Sequence, residues 1–199
     1  MRLKCITGDK SSIEYDIWSE WLYSAAMLAN RHVRMWKDDD PFAYNETASV
    51  SFLAAAGSVA GHVALAECST VKLQNGASAK AENRERHGRA DLWLHTSEKN
   101  WAFEFKQRMN IGVSRGNGRL SSHLNAARKC AQDVIEGPDG VPVAGLIVSL
   151  YFVDDDFLAK EAASEIERFA KNSESNVDFC WRLRPSKGRR QTYFLFDLL

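Results

Sequence analysis

The sequence predicts an α/β fold in which helices flank both faces of a mixed β-sheet. Segments with helical periodicity alternate with strand-like segments, in the order helix, helix, strands, helix, strand, helix, strands. In addition, a short turn at residues 97–100 joins two predicted strands, which must therefore be antiparallel. These two observations exclude an all-helical bundle and an all-parallel sheet.

The first three predicted elements are two helices and a strand. In residues 11–36, apolar side chains recur at helical spacing, and the run KDDDP ends the segment. Residues 45–61 are rich in alanine and other small residues, which favours a second helix packed closely against a sheet. The β-like pattern at residues 65–73 predicts a strand.

The central elements form a hairpin that is followed by a crossover. Residues 90–95 and 101–106 alternate as strands on either side of the short turn. A loop rich in glycine and arginine then leads into a helix at 121–136. The continuous apolar run at 143–153 is typical of a strand buried on both faces. The chain closes with a helix at 157–171 and strands at 177–184 and 192–198.

Length and composition fit one domain. The chain has 199 residues and is 45% apolar, enough to bury a core without disulfides. We expect a single domain, 1–199, with a helical extension (1–40), a core (45–153) and a C-terminal helix and strands (154–199). The four cysteines are widely spaced, and no apolar run is long enough to span a membrane. We therefore expect free thiols and a cytoplasmic protein that does not associate with membranes.

The hairpin carries the residues that point to chemistry. In the strand WAFEFK, the three aromatic side chains share one face, so Glu104 and Lys106 lie on the other. Pairing of the two strands brings Asp91 beside Glu104. Two carboxylates and an ammonium group at one place fit divalent-metal chemistry on a phosphodiester. The alternative is a solvated cross-strand salt bridge, although charges on a sheet covered by helices need a reason.

Asp91, a spacer of twelve residues and Glu104-Phe105-Lys106 resemble the motif of the PD-(D/E)XK nuclease superfamily, which has the restriction-endonuclease-like fold. The αβββαβ core of that superfamily also matches the predicted element order over residues 45–153. The resemblance implies that Asp91 and Glu104 bind Mg²⁺ or Mn²⁺, with the backbone carbonyl of Phe105 as a further ligand. It also implies that Lys106 positions or activates the attacking water.

Further residues extend this candidate site. Many superfamily members take another acid from the helix before the first strand, and Glu46 is the candidate here. Its alternative role is to favour the N-terminus of that helix, capped by Asn45. Glu67 is a second candidate acid, and Gln107 is a candidate for contacting substrate or holding a water. Ala90 stands where the superfamily motif usually has proline, at a position that is not a ligand.

Positive charge concentrates around this segment. Basic and acidic residues balance at 26 each in the whole chain, but residues 80–129 hold eleven basic and five acidic side chains. A groove for a phosphate backbone requires such a local excess, whereas the alternative is ordinary solvated loop charge. The arginines expected to contact DNA are Arg89, Arg108, Arg115, Arg119 and Arg128.

These patterns lead us to expect a metal-dependent endonuclease that hydrolyses DNA phosphodiester bonds. The resemblance implies a role in restriction, repair or phage defence, and a homodimer or a protein partner by analogy. RNA is a weaker expectation because the sequence has no RNP-like aromatic platform. The alternative is a catalytically silent nuclease-fold subunit that binds DNA or assembles with a protein. Dependence on a metal ion discriminates between the two.

Overall fold

The computed structural model describes residues 2–37, 39–73, 85–110, 116–134, 140–151, 156–184 and 190–199. These residues form seven strands and four α-helices, so the predicted α/β class is confirmed. In chain order the elements are β1 (Arg2–Thr7), α1 (Ile13–Met35), α2 (Glu46–Val59), β2 (Val63–Leu73), β3 (Glu85–His95), β4 (Asn100–Met109), α3 (Gly116–Ala131), β5 (Val141–Leu150), α4 (Asp156–Lys171), β6 (Phe179–Arg184) and β7 (Gln191–Leu198).

The seven strands form one mixed sheet in the order β1-β6-β7-β5-β4-β3-β2. β4 and β5 are parallel, and the crossover between them contains α3. All other neighbouring strands in the described sheet are antiparallel. The prediction of a mixed sheet is therefore confirmed, and β2 and β1 are its two edges.

Helices cover both faces of the sheet, as the sequence predicts. On one face, α1 and α2 bury Trp18, Trp21 and Leu53 against aromatic side chains of the strands. On the other face, α3 and α4 bury Leu124 and Ile166 against β5 and β7. Each such side chain contributes roughly 1.5–3 kcal/mol when it leaves water. No helix in the described part of the chain is long and apolar enough to cross a membrane.

The N-terminal helix belongs to the first of these cores. The ring of Trp18 contacts those of Trp101, Phe103 and Phe196, at centroid distances of 5.7, 5.4 and 5.0 Å. Trp36, at the end of the helix, is instead 65% exposed. The buried face of α1 makes this helix one of the layers that cover the sheet.

The bounds of several elements differ from the sequence prediction. β1 has no predicted counterpart, because its six residues become a strand by pairing with β6, far along the chain. β3 begins at Glu85, within a stretch whose glycine and mixed charge favour a loop, because pairing with β2 extends it. α3 begins at Gly116, also inside a predicted loop. Local composition is a poor guide where long-range pairing decides the boundary.

Candidate functional site

The β3–β4 hairpin has a turn end at residues 96–99 and an open end, where the two strands separate. Pairing between the strands runs from the turn to Leu92–Phe103 and then stops. Beyond it, Oδ2 of Asp91 accepts a hydrogen bond from the backbone N–H of Phe105 at 2.7 Å. A carboxylate therefore stands where the next backbone acceptor of the ladder would be. This bond fixes Asp91 in the gap between the strands, next to Glu104.

Glu104 is buried on the face of β4 opposite the aromatic core. Phe103 and Phe105, its chain neighbours, are fully buried in the core under α1 and α2, as the alternation predicts. Glu104 is 4% exposed, and its Oε1 accepts a hydrogen bond from Nζ of Lys72 on β2 at 2.5 Å. A buried ion pair thus links the edge strand to β4.

Lys72 reaches Glu104 by crossing β3 at Gly88. A Cβ at position 88 would lie 2.7 Å from Cδ and 2.9 Å from Cγ of Lys72, so the missing side chain leaves room for the lysine stem. No sequence pattern predicts this role for Lys72, because its partner lies on a strand that is not adjacent to its own. The local signals were a lysine within the strand pattern of β2 and a glycine on the following strand.

Burial raises the pKa of Glu104 above its ordinary value. The hydrogen bond and charge of Lys72 and the charge of Lys106 oppose this increase, while the neighbouring carboxylate of Asp91 adds to it. The net direction is upward, so the two lysines do not fully offset burial and the nearby negative charge. An additional cation would favour the ionised form of Glu104.

The helix α2 places Glu46 beside the end of β4 that carries Lys106. Asn45 caps the helix, since its Oδ1 accepts a hydrogen bond from the N–H of Ala48 at 2.8 Å. Oε2 of Glu46 accepts a hydrogen bond from the N–H of Gln107 at 2.9 Å, and Oε1 lies 3.4 Å from Nζ of Lys106. Glu46 therefore occupies the first turn of a helix and also touches the end of β4 that carries the motif.

Lys106 lies between a backbone oxygen and a carboxylate. Its Nζ donates to the carbonyl of Phe105 at 2.6 Å and faces Glu46. Burial alone lowers the pKa of Lys106, but the charges of Glu46 and Asp91 outweigh burial, and the net shift is upward. The amine is therefore a cation at neutral pH. We refer to Glu46, Asp91 and Glu104 together as the carboxylate cluster.

Gln107 and Glu67 lie at the margin of this cluster. Nε2 of Gln107 donates to the carbonyl of Phe42 at 2.9 Å, and its Oε1 is buried without a hydrogen bond to any described residue. Glu67 lines a small cleft together with Glu46 and Asp91. Its left-handed φ of 54° interrupts the β2–β3 pairing at the position opposite Asp91.

The structure places the predicted DNA-binding arginines in different settings. Arg89 lies two residues before Asp91 on β3 and its side chain is 71% exposed. Arg108 follows Lys106 on β4, and its Nε is buried without a hydrogen bond to the described residues. Arg119 lies near the start of α3. Arg115 lies outside the described residues.

Arg128 on α3 is held by contacts with other parts of the protein. Its guanidinium pairs with Asp197 on β7 and donates to the carbonyls of Ser175 and Asn176 at 2.5 and 2.9 Å. A further bond joins it to Asn125 at 2.7 Å. These contacts tie α3 to β7 and to the segment before β6, and the expected contact with DNA receives no support from this position.

The donor chemistry at the open end fits a hard divalent cation. The carboxylate cluster and the carbonyl of Phe105 supply the oxygen ligands that Mg²⁺ and Mn²⁺ prefer. Within the described residues, no three His, Cys, Asp or Glu side chains are already arranged around a common metal position. The ammonium groups of Lys72 and Lys106 instead contact these oxygens. Metal binding would require the ammonium group of at least one of the two lysines to move away from these oxygens.

Comparisons of the chain with models of protein families, with curated proteins and with solved structures found no match. The resemblance to PD-(D/E)XK nucleases consequently rests on the motif and on the order of the elements.

Proposed function

We propose that this chain is a metal-dependent nuclease that hydrolyses DNA phosphodiester bonds. The proposal depends on one observation, the convergence of Asp91, Glu104, Lys106 and Glu46 at the open end of the hairpin. An ordinary solvated salt bridge does not account for it, because Glu104 is 4% exposed. Burying such charges is costly unless they are paired or bind a cation.

The topology around the cluster supports a restriction-endonuclease-like core. α2, β2, β3, β4, α3 and β5 follow one another in the order αβββαβ. β2, β3 and β4 form an antiparallel meander, and β4 is parallel to β5 across the α3 connection. The aspartate and the Glu-x-Lys segment therefore lie on adjacent strands, as the superfamily motif requires.

Each residue has a separate task in the proposed reaction. Asp91, Glu104 and the carbonyl of Phe105 are the groups that would hold a divalent ion, which when bound polarises a phosphate and acidifies a water. Lys106 donates to a phosphate oxygen or to the attacking water, and its positive charge offsets the negative charge that develops at phosphorus. Glu46 keeps the Lys106 ammonium charged and holds it near β4.

Positive charge near the open end favours nucleic acid as the substrate. Arg89 is exposed and lies two residues from Asp91, where it can contact a phosphate group. Arg108, Arg115 and Arg119 remain candidates for further phosphate contacts. Arg128 is the weakest candidate, because its guanidinium already donates to four protein groups.

A catalytically silent nuclease-fold subunit is the second candidate function. One observation favours it: every member of the carboxylate cluster already accepts a hydrogen bond from the protein. Glu104 accepts from Lys72, and the other two accept from backbone N–H groups of β4. In such a subunit the charges would only organise the fold, and DNA would bind equally with and without Mg²⁺.

Cleavage assays on two matched lysine variants separate these candidates. The full chain is incubated with supercoiled plasmid and with single-stranded DNA in Mg²⁺, Mn²⁺ or EDTA. We expect metal-dependent cutting that falls by about 10²-fold or more in Lys106→Ala. Lys99→Ala, which removes the lysine of a Lys–Glu pair at the turn end, should cut like the original protein. Equal cutting by Lys106→Ala would contradict the proposed site, and DNA retention without cutting in any metal would support the silent subunit.

A further inference from the structure

Lys72 is the member of the site that neither the motif nor the alternation of the hairpin explains. It lies on β2, an edge strand, yet its side chain is 11% exposed and that of its partner Glu104 is 6% exposed. Buried ion pairs of this kind are weak contributors to net stability, because both charges lose their hydration. The pair therefore points to a task other than stabilising the sheet.

The backbone is arranged so that the lysine can make this contact. Gly88 on β3 provides the passage for the lysine stem, since any side chain there would collide with Cδ and Cγ of Lys72. An isolated bridge to Val134, just after α3, fixes the backbone of Lys72 itself. Both features hold the ammonium against Glu104 and away from solvent.

Formal charges indicate that one ammonium group leaves the site when a divalent ion binds. The carboxylate cluster carries three negative charges when ionised, and Lys72 and Lys106 supply two positive charges. A divalent ion added to this set would leave an excess of positive charge in a poorly hydrated place. Departure of one ammonium group restores neutrality. Lys72 is the group that occupies an oxygen of Glu104 itself, whereas Lys106 contacts Glu46 and the carbonyl of Phe105.

We propose that Lys72 is the internal counter-ion of Glu104, and that a divalent cation binds at the open end by displacing the Lys72 ammonium group. This inference rests on the proposed function, because it requires the carboxylate cluster to take a metal ion. In the protein without metal, Lys72 keeps a buried carboxylate paired. Its competition with the ion sets the metal concentration at which the site fills.

Binding of Mn²⁺ alone, without DNA, tests the proposal. Titration calorimetry or the electron paramagnetic resonance signal of free Mn²⁺ gives the affinity of the full chain and of its variants. We expect Lys72→Met to bind Mn²⁺ at least about tenfold more tightly, because the competing charge is gone. The matched control is Lys99→Met, which removes the lysine of the turn-end pair and should leave Mn²⁺ affinity unchanged. Glu104→Gln, in either background, should remove the binding that Lys72→Met tightens.

A second variant keeps the test valid if Lys72→Met folds poorly. Gly88→Ala retains the lysine but places a Cβ in the path of its stem, and it should tighten Mn²⁺ binding in the same direction. Circular dichroism of each variant identifies the folded samples to compare.

The outcomes distinguish this inference from the proposed function. Binding that depends on Glu104 but is equal or weaker in Lys72→Met would overturn the counter-ion role and leave the metal site intact. Absence of Glu104-dependent Mn²⁺ binding in the original protein and in both variants would overturn the metal site and the displacement together. Binding seen only after Lys72→Met or Gly88→Ala would support the counter-ion role in its strongest form.

Discussion

The two ends of the β3–β4 hairpin each carry a Lys–Glu pair, but the pairs differ in their electrostatics. At the turn end, Nζ of Lys99 lies 2.6 Å from Oε1 of Glu14, and at the open end the Lys72–Glu104 distance is 2.5 Å. Both glutamates are less than a tenth exposed. Nevertheless, the pKa of Glu14 is lowered and that of Glu104 is raised.

The neighbours of each carboxylate explain the difference. Burial raises the pKa of Glu14, but hydrogen bonds from Lys99, from the backbone of α1 and from Nε1 of Trp101 outweigh it. Glu104 has one lysine in contact and a second carboxylate, Asp91, beside it. The turn end is a satisfied structural pair, whereas the open end holds negative charge that its lysines do not fully offset. Uncompensated negative charge with a raised carboxyl pKa indicates a functional site more strongly than a fully paired Lys–Glu contact does.

The largest expected effect is a loss of stability, without a loss of cutting, when a buried side chain at the turn end is removed. Trp101 is fully buried and its ring lies 5.7 Å from that of Trp18. Trp101→Ala should lower the free energy of unfolding by about 3–5 kcal/mol, because it leaves a cavity between α1 and the sheet. Urea unfolding measures this loss. Cutting per folded molecule should be retained at low temperature, and a loss of cutting without a loss of stability would break the assignment of this end to structure.

Replacing one glutamate at each end tests the comparison directly. Glu104→Gln should reduce metal-dependent cutting by roughly 10²- to 10³-fold, because it removes a charged oxygen from the reacting centre. Glu14→Gln should leave the cutting rate unchanged, since the hydrogen bonds of Glu14 to described residues come from the turn end and from α1. Rates measured on supercoiled plasmid in Mg²⁺ check both variants. Similar losses in the two variants would show that the ends do not differ in function.

The sequence predicted most of the hairpin but only part of its electrostatics. Strand alternation is a local property, so the opposite faces of Glu104 and Phe105 followed from the residues alone. The contact of Lys72 with Glu104 depends on strand order and on a passage at Gly88, and neither has a local pattern. The same reason applies to Arg128, because its contact with Asp197, far along the chain, has no local pattern either.

The opposite pKa directions predict opposite pH dependences of stability. Glu14 has a folded pKa below its ordinary value of 4.5, so its contribution is present above that pH and is lost as the pH falls through the folded pKa. Glu104 has a raised folded pKa, so the unfolded chain releases this proton first. Its contribution therefore declines as the pH rises from 4.5 through the folded pKa.

Urea unfolding in EDTA, from about pH 3 to about pH 7, measures both effects. The deficit of Glu14→Gln relative to the original protein should shrink toward acid pH. The stability of Glu104→Gln relative to the original protein should improve as the pH rises. If the relative stabilities of the two variants changed with pH in the same way, the two ends would not differ in their electrostatics.

The smallest expected effect is a modest change in DNA binding, and it compares two arginines, Arg89 and Arg128. Arg89 is exposed at the open end, so Arg89→Ala should weaken DNA binding modestly and reduce the slope of log affinity against log salt by about one. Arg128→Ala should instead lower the unfolding midpoint, because it leaves Asp197 buried without its partner, and the salt slope should stay unchanged. Salt titrations of binding in EDTA, beside thermal melts, give both quantities. A reduced slope in Arg128→Ala would show that Arg128 contacts phosphate although its guanidinium is already bonded to the protein, and would remove the contrast between the two arginines.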